Sequence, residues 1–448
     1  MKRSAIFLAS LAAALLCLAS PQALRADEAG GQIGSSNSRE AAQGYSPEAL
    51  RVMTSSLTPL PSIGARSAVV MDATTGTILF AKNPDLPIPP ASLTKLVTLH
   101  VVYNEIAAGR LRKDELVTID ARDCSPYIPY GSSLMYLHPG MKVSVLDLMQ
   151  GAAVVSGNDA AYALARRVAG SNEAFAVLMN KAVRDLGFTS MHFVEPSGLS
   201  ELNMVTAREY ALFCRRYMEL HPEAIAELHS VRYIEFPRSE HETPDFKPKG
   251  RIIQYNRNSL VLGYEGCDGL KTGYIIESGY NLSATAKRGD SRFLIVTLGG
   301  PESGAYGGGA ARRSKDGSSL LDWCFANFET LRPELGPVGP LKVWYGKSGG
   351  LPLQAGTPLA VTLPHSAAGR LEARVVLPRS IDAPVVAGQR VGEVVYSVGD
   401  TVVKRVDLLA GRDIEKGNVF IIIRDAFAKL FSRLFRSDPK IIGVSSGS

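Results

Sequence analysis

Apolar and polar positions change rhythm several times along the chain, and each rhythm predicts a different element. Ala68-Val69-Val70-Met71-Asp72, a turn at Thr74-Thr75-Gly76-Thr77 and Ile78-Leu79-Phe80-Ala81 read as a β-hairpin. A helix is expected from Ser92 to near Gly109, with Leu93, Leu96, Val97, Leu99, Val101 and Val102 crowding its buried side. Residues 143–220 keep a helical period. Val145, Leu146, Leu148 and Met149 lead into an apolar stretch at 152–155, the pattern breaks at Ser156-Gly157-Asn158, and 159–168 resumes it until Gly170. Two further helices are expected at 172–186 and 206–220. The period then drops to two, and 270–275, 280–287 and 292–298 predict three consecutive antiparallel strands followed by a helix at about 318–328.

These elements give an α/β (α+β) domain over 47–327, an antiparallel sheet flanked by helices. Residues 332–339 are rich in Pro and Gly and mark a boundary. Beyond it, 371–377, 390–396 and 401–408 alternate apolar and polar residues between turns, which predicts a small β-sandwich over 339–415. The segment 418–436 differs again: Phe420, Phe427, Leu430, Phe431, Leu434 and Phe435 share one helical face, with Arg424, Lys429, Arg433 and Arg436 interleaved. Such a helix is too short and too charged to span a bilayer, and it suits the interface of an anionic membrane. The plainer reading is a helix docked on the protein itself.

The chain start narrows the setting. Lys2 and Arg3 precede an apolar run over 5–18, and Ala23 or Ala26 offers a small residue for cleavage, so 1–26 reads as an export signal. Residues 27–46 are Gly, Ser, Ala, Gln and Asn without apolar period, a flexible leader. In the 448-residue chain 46% of residues are hydrophobic and 21% charged, a globular balance. A net charge of +6 without dense Lys/Arg runs makes nucleic acid a poor candidate partner. Cys124, Cys214, Cys267 and Cys324 are too far apart for a zinc motif and are expected as buried free thiols.

Three short elements carry candidate chemistry. In Ser92-Leu93-Thr94-Lys95 at a helix start, positions three apart share a face, so the Lys95 amine can reach the Ser92 hydroxyl. A serine needs an adjacent base, and lysine serves only when burial or a nearby cation lowers its pKa. Read alone, this is an N-cap serine followed by a lysine. Ser156-Gly157-Asn158 alone is an ordinary helix–turn–helix joint. Lys271-Thr272-Gly273 lies in a strand, where Gly273 hints at close approach of another backbone.

Taken together and in this order, the three resemble the penicilloyl serine transferase set of β-lactamases and penicillin-binding proteins. The flanking Pro90-Ala91-Ser92-Leu93-Thr94-Lys95-Leu96-Val97-Thr98 and Asp268-Gly269-Leu270-Lys271-Thr272-Gly273, with Gly279-Tyr280-Asn281-Leu282 after it, look like those of the low-molecular-mass D-alanyl-D-alanine carboxypeptidases. The resemblance implies a β-lactamase/transpeptidase-like catalytic domain. In it Ser92 is the nucleophile, Lys95 its base, and Ser156 a proton relay beside Asn158, which holds a substrate amide. Lys271 adds positive charge and binds Ser156, Thr272 and Arg313 (with Arg312 as rival) take the substrate carboxylate, and the N–H groups of Ser92 and Tyr274 beside Gly273 form an oxyanion hole. It further implies peptidoglycan stem peptides as substrate, β-lactams as acylating inhibitors, no cofactor or metal, and a place on the periplasmic face of the cytoplasmic membrane. Tyr274 departs from the family, where His or a small residue is common. A β-lactamase is the chemical rival, disfavoured by Gly157 in place of Asp, by the β-module and by the terminal helix. A peptidoglycan-binding scaffold without turnover is the other alternative. His100, in an apolar helix, reads as a packed side chain, and the Gly run at 304–309 lacks a phosphate-loop context.

Overall fold

The computed structural model describes residues 57–247, 252–302, 308–333 and 339–434, with backbone alone at 432–434 and at 441–444. The expected export signal and leader lie outside the described residues, as do Phe435 and Arg436. Among the described residues, β1 (Ser67–Asp72), β2 (Ile78–Lys82), β3 (Cys267–Ile275), β4 (Gly279–Arg288) and β5 (Ser291–Gly300) form an antiparallel five-stranded sheet in the order β2-β1-β5-β4-β3. Alternate side chains leave its two faces for two separate cores. Val69, Met71, Leu294, Val296 and Leu298 face a large helical cluster. Ala68, Val70, Leu282, Ala284, Phe293 and Ile295 face the opposite side.

The helical cluster is built around α1 (Thr94–Ala107), buried on every side from Thr94 to Tyr103. A helix enclosed in this way needs no polar face, but its polar side chains need partners. Thr98 Oγ1 donates to the Pro196 carbonyl at 2.6 Å, and His100 Nδ1 lies 2.7 Å from His221 Nε2, so His100 is a packed and satisfied core residue. Around α1 stand α2 (Val145–Val154), α3 (Asn158–Ala169), α4 (Asn172–Asp185) and α5 (Ala207–Leu220). Ser144, Ser171 and Thr206 cap α2, α4 and α5 by accepting from backbone N–H groups of the first turn, and Gly170 closes α3 at φ +81°.

The second face is covered by α6 (Gly308–Asn327), which begins ten residues before the expected 318. Its glycines allow close packing. A Cβ on Gly309 would lie 2.0 Å from the Tyr280 ring, and one on Gly317 2.6 Å from Leu282. The early start matters for the site, because it places Arg313 in the second turn of α6.

Farther along, β6 (Leu371–Val376), β7 (Arg390–Val398) and β8 (Thr401–Ala410) form an antiparallel sheet, with Leu353–Ala355 on one edge and Ile441–Val444 on the other. Leu371, Ala373 and Val375 point inward as the alternation predicts. This all-β part meets the first through buried Asp72, whose Oδ2 accepts from Thr330 Oγ1 at 2.5 Å and Thr362 Oγ1 at 2.8 Å. Cys124, Cys214, Cys267 and Cys324 are free thiols. No helix among the described residues is long and apolar enough to cross a membrane.

Candidate active site

Ser92 sits in a single 3-10 turn (Ala91–Leu93) that feeds directly into α1. Lys95 falls one turn later on the same face. Its side chain is fully buried, and Nζ lies 3.0 Å from Ser92 Oγ, 2.6 Å from Asn158 Oδ1 and 2.6 Å from the Ser197 carbonyl oxygen. Burial lowers the Lys95 pKa to about 7, against the charges of Glu195 and Asp159, which work to raise it. An amine so placed spends much of its time neutral near pH 7, with a lone pair within reach of the Ser92 proton.

Two carboxylates that the sequence reading passed over fix this geometry. Glu195 accepts from the N–H of Ser197 at 2.7 Å and of Gly198 at 2.6 Å, and from Asn203 Nδ2 at 2.8 Å, which shapes the turn whose Ser197 carbonyl meets Lys95. Gly198 in that turn has φ +86°, and a Cβ would fall 1.9 Å from the Ala91 carbonyl, so only glycine lets the turn press against the Ser92 segment. Asp159, also buried, accepts from the N–H groups of Met135, Leu137 and Ala160 at 2.9 to 3.1 Å. Burial pushes its carboxyl pKa up, and those amides oppose the shift. The Pro-Ser-Gly turn signal after Glu195, and a carboxylate next to Asn158 on an otherwise Ala-rich helix, are the signals that could have found these two.

The opposing wall is the turn between α2 and α3. Ser156 is buried with φ +64°, a conformation uncommon for a serine and typical of backbone held for a purpose. Asn158 opens α3, its N–H donating to the Ser133 carbonyl at 2.9 Å while its Oδ1 meets Lys95. The third wall is edge strand β3. A Cβ on Gly273 would lie 2.8 Å from the Pro90 carbonyl and 3.0 Å from the Ser92 N, so the strand passes directly beside the Ser92 amide. Lys271 is buried, and burial together with the charge of Lys95 holds its pKa well below the ordinary range. Its Nζ donates to the Thr272 carbonyl at 3.0 Å, rather than to Ser156 as the resemblance led one to expect.

By period two, Thr272 and Tyr274 leave β3 on the face opposite Lys271 and Gly273. Thr272 pairs with Leu282 and Tyr274 with Tyr280, toward the α6 side. There the two arginines separate. Arg312 is tied to Asp316 at 2.8 Å, and Asp316 also holds the Gly64 N–H at 2.7 Å. Arg313 lies over the Tyr280 ring at 5.7 Å, and its buried Nε has no hydrogen-bond partner among the described residues. Burial lowers its pKa to about 10, which leaves it charged at neutral pH. A buried guanidinium whose Nε is left without a partner fits an anionic ligand. Tyr274 itself is exposed, its hydroxyl donating to Glu302 at 2.8 Å and its ring 4.4 Å from that of Tyr280. The fold thus brings Ser92, Lys95, Asn158 and the β3 backbone at Gly273 together, with Ser156 in the turn before Asn158 and Lys271 on β3, while Thr272, Tyr274 and Arg313 belong to the α6 side of that strand. Chemically it offers a hydroxyl beside a buried amine, a backbone N–H at the nucleophile, and a cation for a carboxylate.

Comparison with known proteins shows the family. Residues 53–302 match the family described as D-alanyl-D-alanine carboxypeptidase, and 336–416 match the C-terminal domain of penicillin-binding protein 5. The chain is 34% identical to D-alanyl-D-alanine carboxypeptidase DacC of Escherichia coli over 84% of its own length and 91% of that protein's. The identity is also 34% with D-alanyl-D-alanine carboxypeptidase DacA of Haemophilus influenzae, over 84% of this chain and 88% of that one. The crystal structure of penicillin binding protein 5 from Haemophilus influenzae is similar with a TM-score of 0.68 and 33% identity, covering 81% of this chain and all 100% of the other.

Proposed function

The chain belongs to the D-alanyl-D-alanine carboxypeptidase family, and from that premise we propose that it removes the terminal D-alanine of peptidoglycan stem peptides through an acyl-enzyme on Ser92. The observation that carries this reading is the buried Lys95 amine, 3.0 Å from Ser92 Oγ with its pKa down at about 7. Neutral Lys95 takes the Ser92 proton as Oγ bonds to the carbonyl carbon between the two D-alanines. The N–H groups of Ser92 and Tyr274 take the developing oxyanion, which is supported by the closeness of Gly273 to the Ser92 amide. The C–N bond then breaks, and the departing amine carries off the proton, with Ser156 as relay. Water attacks the ester and gives a proton to Lys95, and as the C–Oγ bond breaks Lys95 passes that proton to Oγ, which restores the Ser92 hydroxyl and the neutral amine. Asn158 holds the acyl-side amide, Lys271 contributes positive charge in its protonated form, which neutral Lys95 no longer opposes, and Thr272 with Arg313 binds the terminal carboxylate. A β-lactam acylates the same serine, but its amine stays tethered after ring opening. Matches to both the catalytic and the C-terminal families favour this reading over a β-lactamase.

The pH dependence of acylation tests the role of Lys95. The active form is the neutral amine, so the rate rises with pH and levels off above its pKa. Penicillin acylation should fall about tenfold for each pH unit below about 7. A rate independent of pH across that range would exclude Lys95 as the base.

The proposal extends to the chain's layout: a catalytic domain over 47–327, a β-sandwich domain over 339–415 and an anchoring helix over 418–436. The support lies in how α7 (Val419–Leu434) is held. Asp425 is buried and accepts from the Tyr345 N–H at 2.7 Å, and Lys429 pairs with Asp382 at 2.6 Å, so a polar face of the helix docks on the β domain. The opposite face presents Phe420, Phe427 and Phe431, 83%, 64% and 65% exposed, with Ile423 and Leu430. Docking by polar contacts leaves the apolar face free for the interface of the cytoplasmic membrane, on its periplasmic side. Truncation after Gly417 should release the protein to the soluble fraction with peptide activity retained. A truncated protein still fully membrane-bound would refute the anchor.

A further inference from the structure

Tyr136 stands out among the residues that the reaction does not use. Its φ is +71°, in the left-handed region that a bulky side chain seldom enters, and it is half exposed. Its neighbours explain how it is held there. Met135 and Leu137 are both buried, and the N–H groups of both donate to the carboxylate of Asp159. The backbone is gripped on each side, and the ring between is turned outward. Gln254 Nε2 donates to the Met135 carbonyl at 3.4 Å and steadies the same segment from outside.

This segment lies directly on the active-site wall. The Ser133 carbonyl accepts from the Asn158 N–H at 2.9 Å, and a Cβ on Gly157 would lie 3.1 Å from the Met135 N. The Asp159 that grips the segment adjoins Asn158 in sequence and is one of the two charges acting on Lys95. Glycine or asparagine would take this backbone conformation without strain. A tyrosine held there against that preference is half exposed, outside the core and next to the segment that meets Asn158.

We propose that Tyr136 is a specificity-determining residue that packs against the stem peptide on the acyl side of the scissile bond, an inference that rests on the function proposed above. The side follows from the geometry. The leaving D-alanine is directed by its carboxylate to Thr272 and Arg313, whereas Tyr136 adjoins Asn158, which holds the acyl-side amide. A phenol ring there covers the aliphatic part of a peptide side chain and leaves its hydroxyl in water. Substrates long enough to reach it gain binding that a minimal D-Ala-D-Ala compound does not.

The test compares D-alanine release from an N-acylated stem pentapeptide with release from N-acetyl-D-Ala-D-Ala, as the ratio of the two kcat/KM values. In Tyr136→Asn, which suits the left-handed backbone, the ratio should fall about tenfold, chiefly through the pentapeptide KM, and Tyr136→Phe should restore it. The thermal midpoint of Tyr136→Asn should not drop, since the substitution relieves strain. A ratio unchanged in Tyr136→Asn, or equal losses on both substrates, would overturn the inference. Release from neither substrate by the parent protein would instead overturn the carboxypeptidase function itself.

Discussion

Ser92→Ala should leave a folded protein that no longer forms a covalent adduct with penicillin and no longer releases D-alanine. Without Oγ there is no atom to carry the acyl group, and loss of the nucleophile in comparable serine hydrolases costs about 10⁶ in turnover. Lys95→Ala keeps the hydroxyl but removes the base 3.0 Å from it, and acylation should slow by roughly 10² to 10⁴. The second variant also leaves Asn158 Oδ1 and the Ser197 carbonyl without their donor, so circular dichroism and a thermal melt belong beside the kinetics. Persistent labelling of a folded Ser92→Ala protein would remove Ser92 as nucleophile. Undiminished acylation in Lys95→Ala would move the base elsewhere.

The next largest effect is expected at the other end of the substrate. Arg313→Gln should lower kcat/KM for a peptide with a free terminal carboxylate by roughly 10- to 100-fold, the worth of a buried charged hydrogen bond. The same peptide as its C-terminal amide, already poor in the parent, should lose little more, so discrimination between the two collapses. The contrast is Arg312→Gln. Arg312 is engaged with Asp316, which ties the Gly64 segment to α6. Its loss should therefore lower thermal stability while preserving discrimination for the carboxylate. The reverse pattern, with selectivity lost at Arg312 and kept at Arg313, would reassign the carboxylate site.

Much of this was legible in the sequence because periodicity and spacing are local. The strands at 270–275, 280–287 and 292–298 and the helices around Ser156-Gly157-Asn158 were located to within a few residues. Ser92 and Lys95 meet because three residues of helix bring them to one face, whatever surrounds them. The apolar face of α7 is legible as a helical stripe because it is exposed among the described residues. What could not be read depends on segments far apart in the chain. The start of α6 was misplaced because Gly309 and Gly317 have low helix propensity, and only the packing of Tyr280 and Leu282 against them shows why glycine stands there. Glu195 has no period to mark it and only the turn signal that follows it, yet through Ser197 it positions the amine of Lys95. Asp159 looked like an ordinary first-turn acid on α3, and the amides of Met135 and Leu137 give it its work. Likewise Asp425 reads as a flaw in an amphipathic helix until the Tyr345 N–H is found above it.

The most direct test is D-alanine release from a purified pentapeptide ending in D-Ala-D-Ala, measured beside penicillin hydrolysis for the parent chain and Ser92→Ala. Prompt D-alanine release with slow penicillin turnover, both lost in the variant, is the result predicted here. Rapid penicillin hydrolysis without D-alanine release, or neither activity, would contradict it.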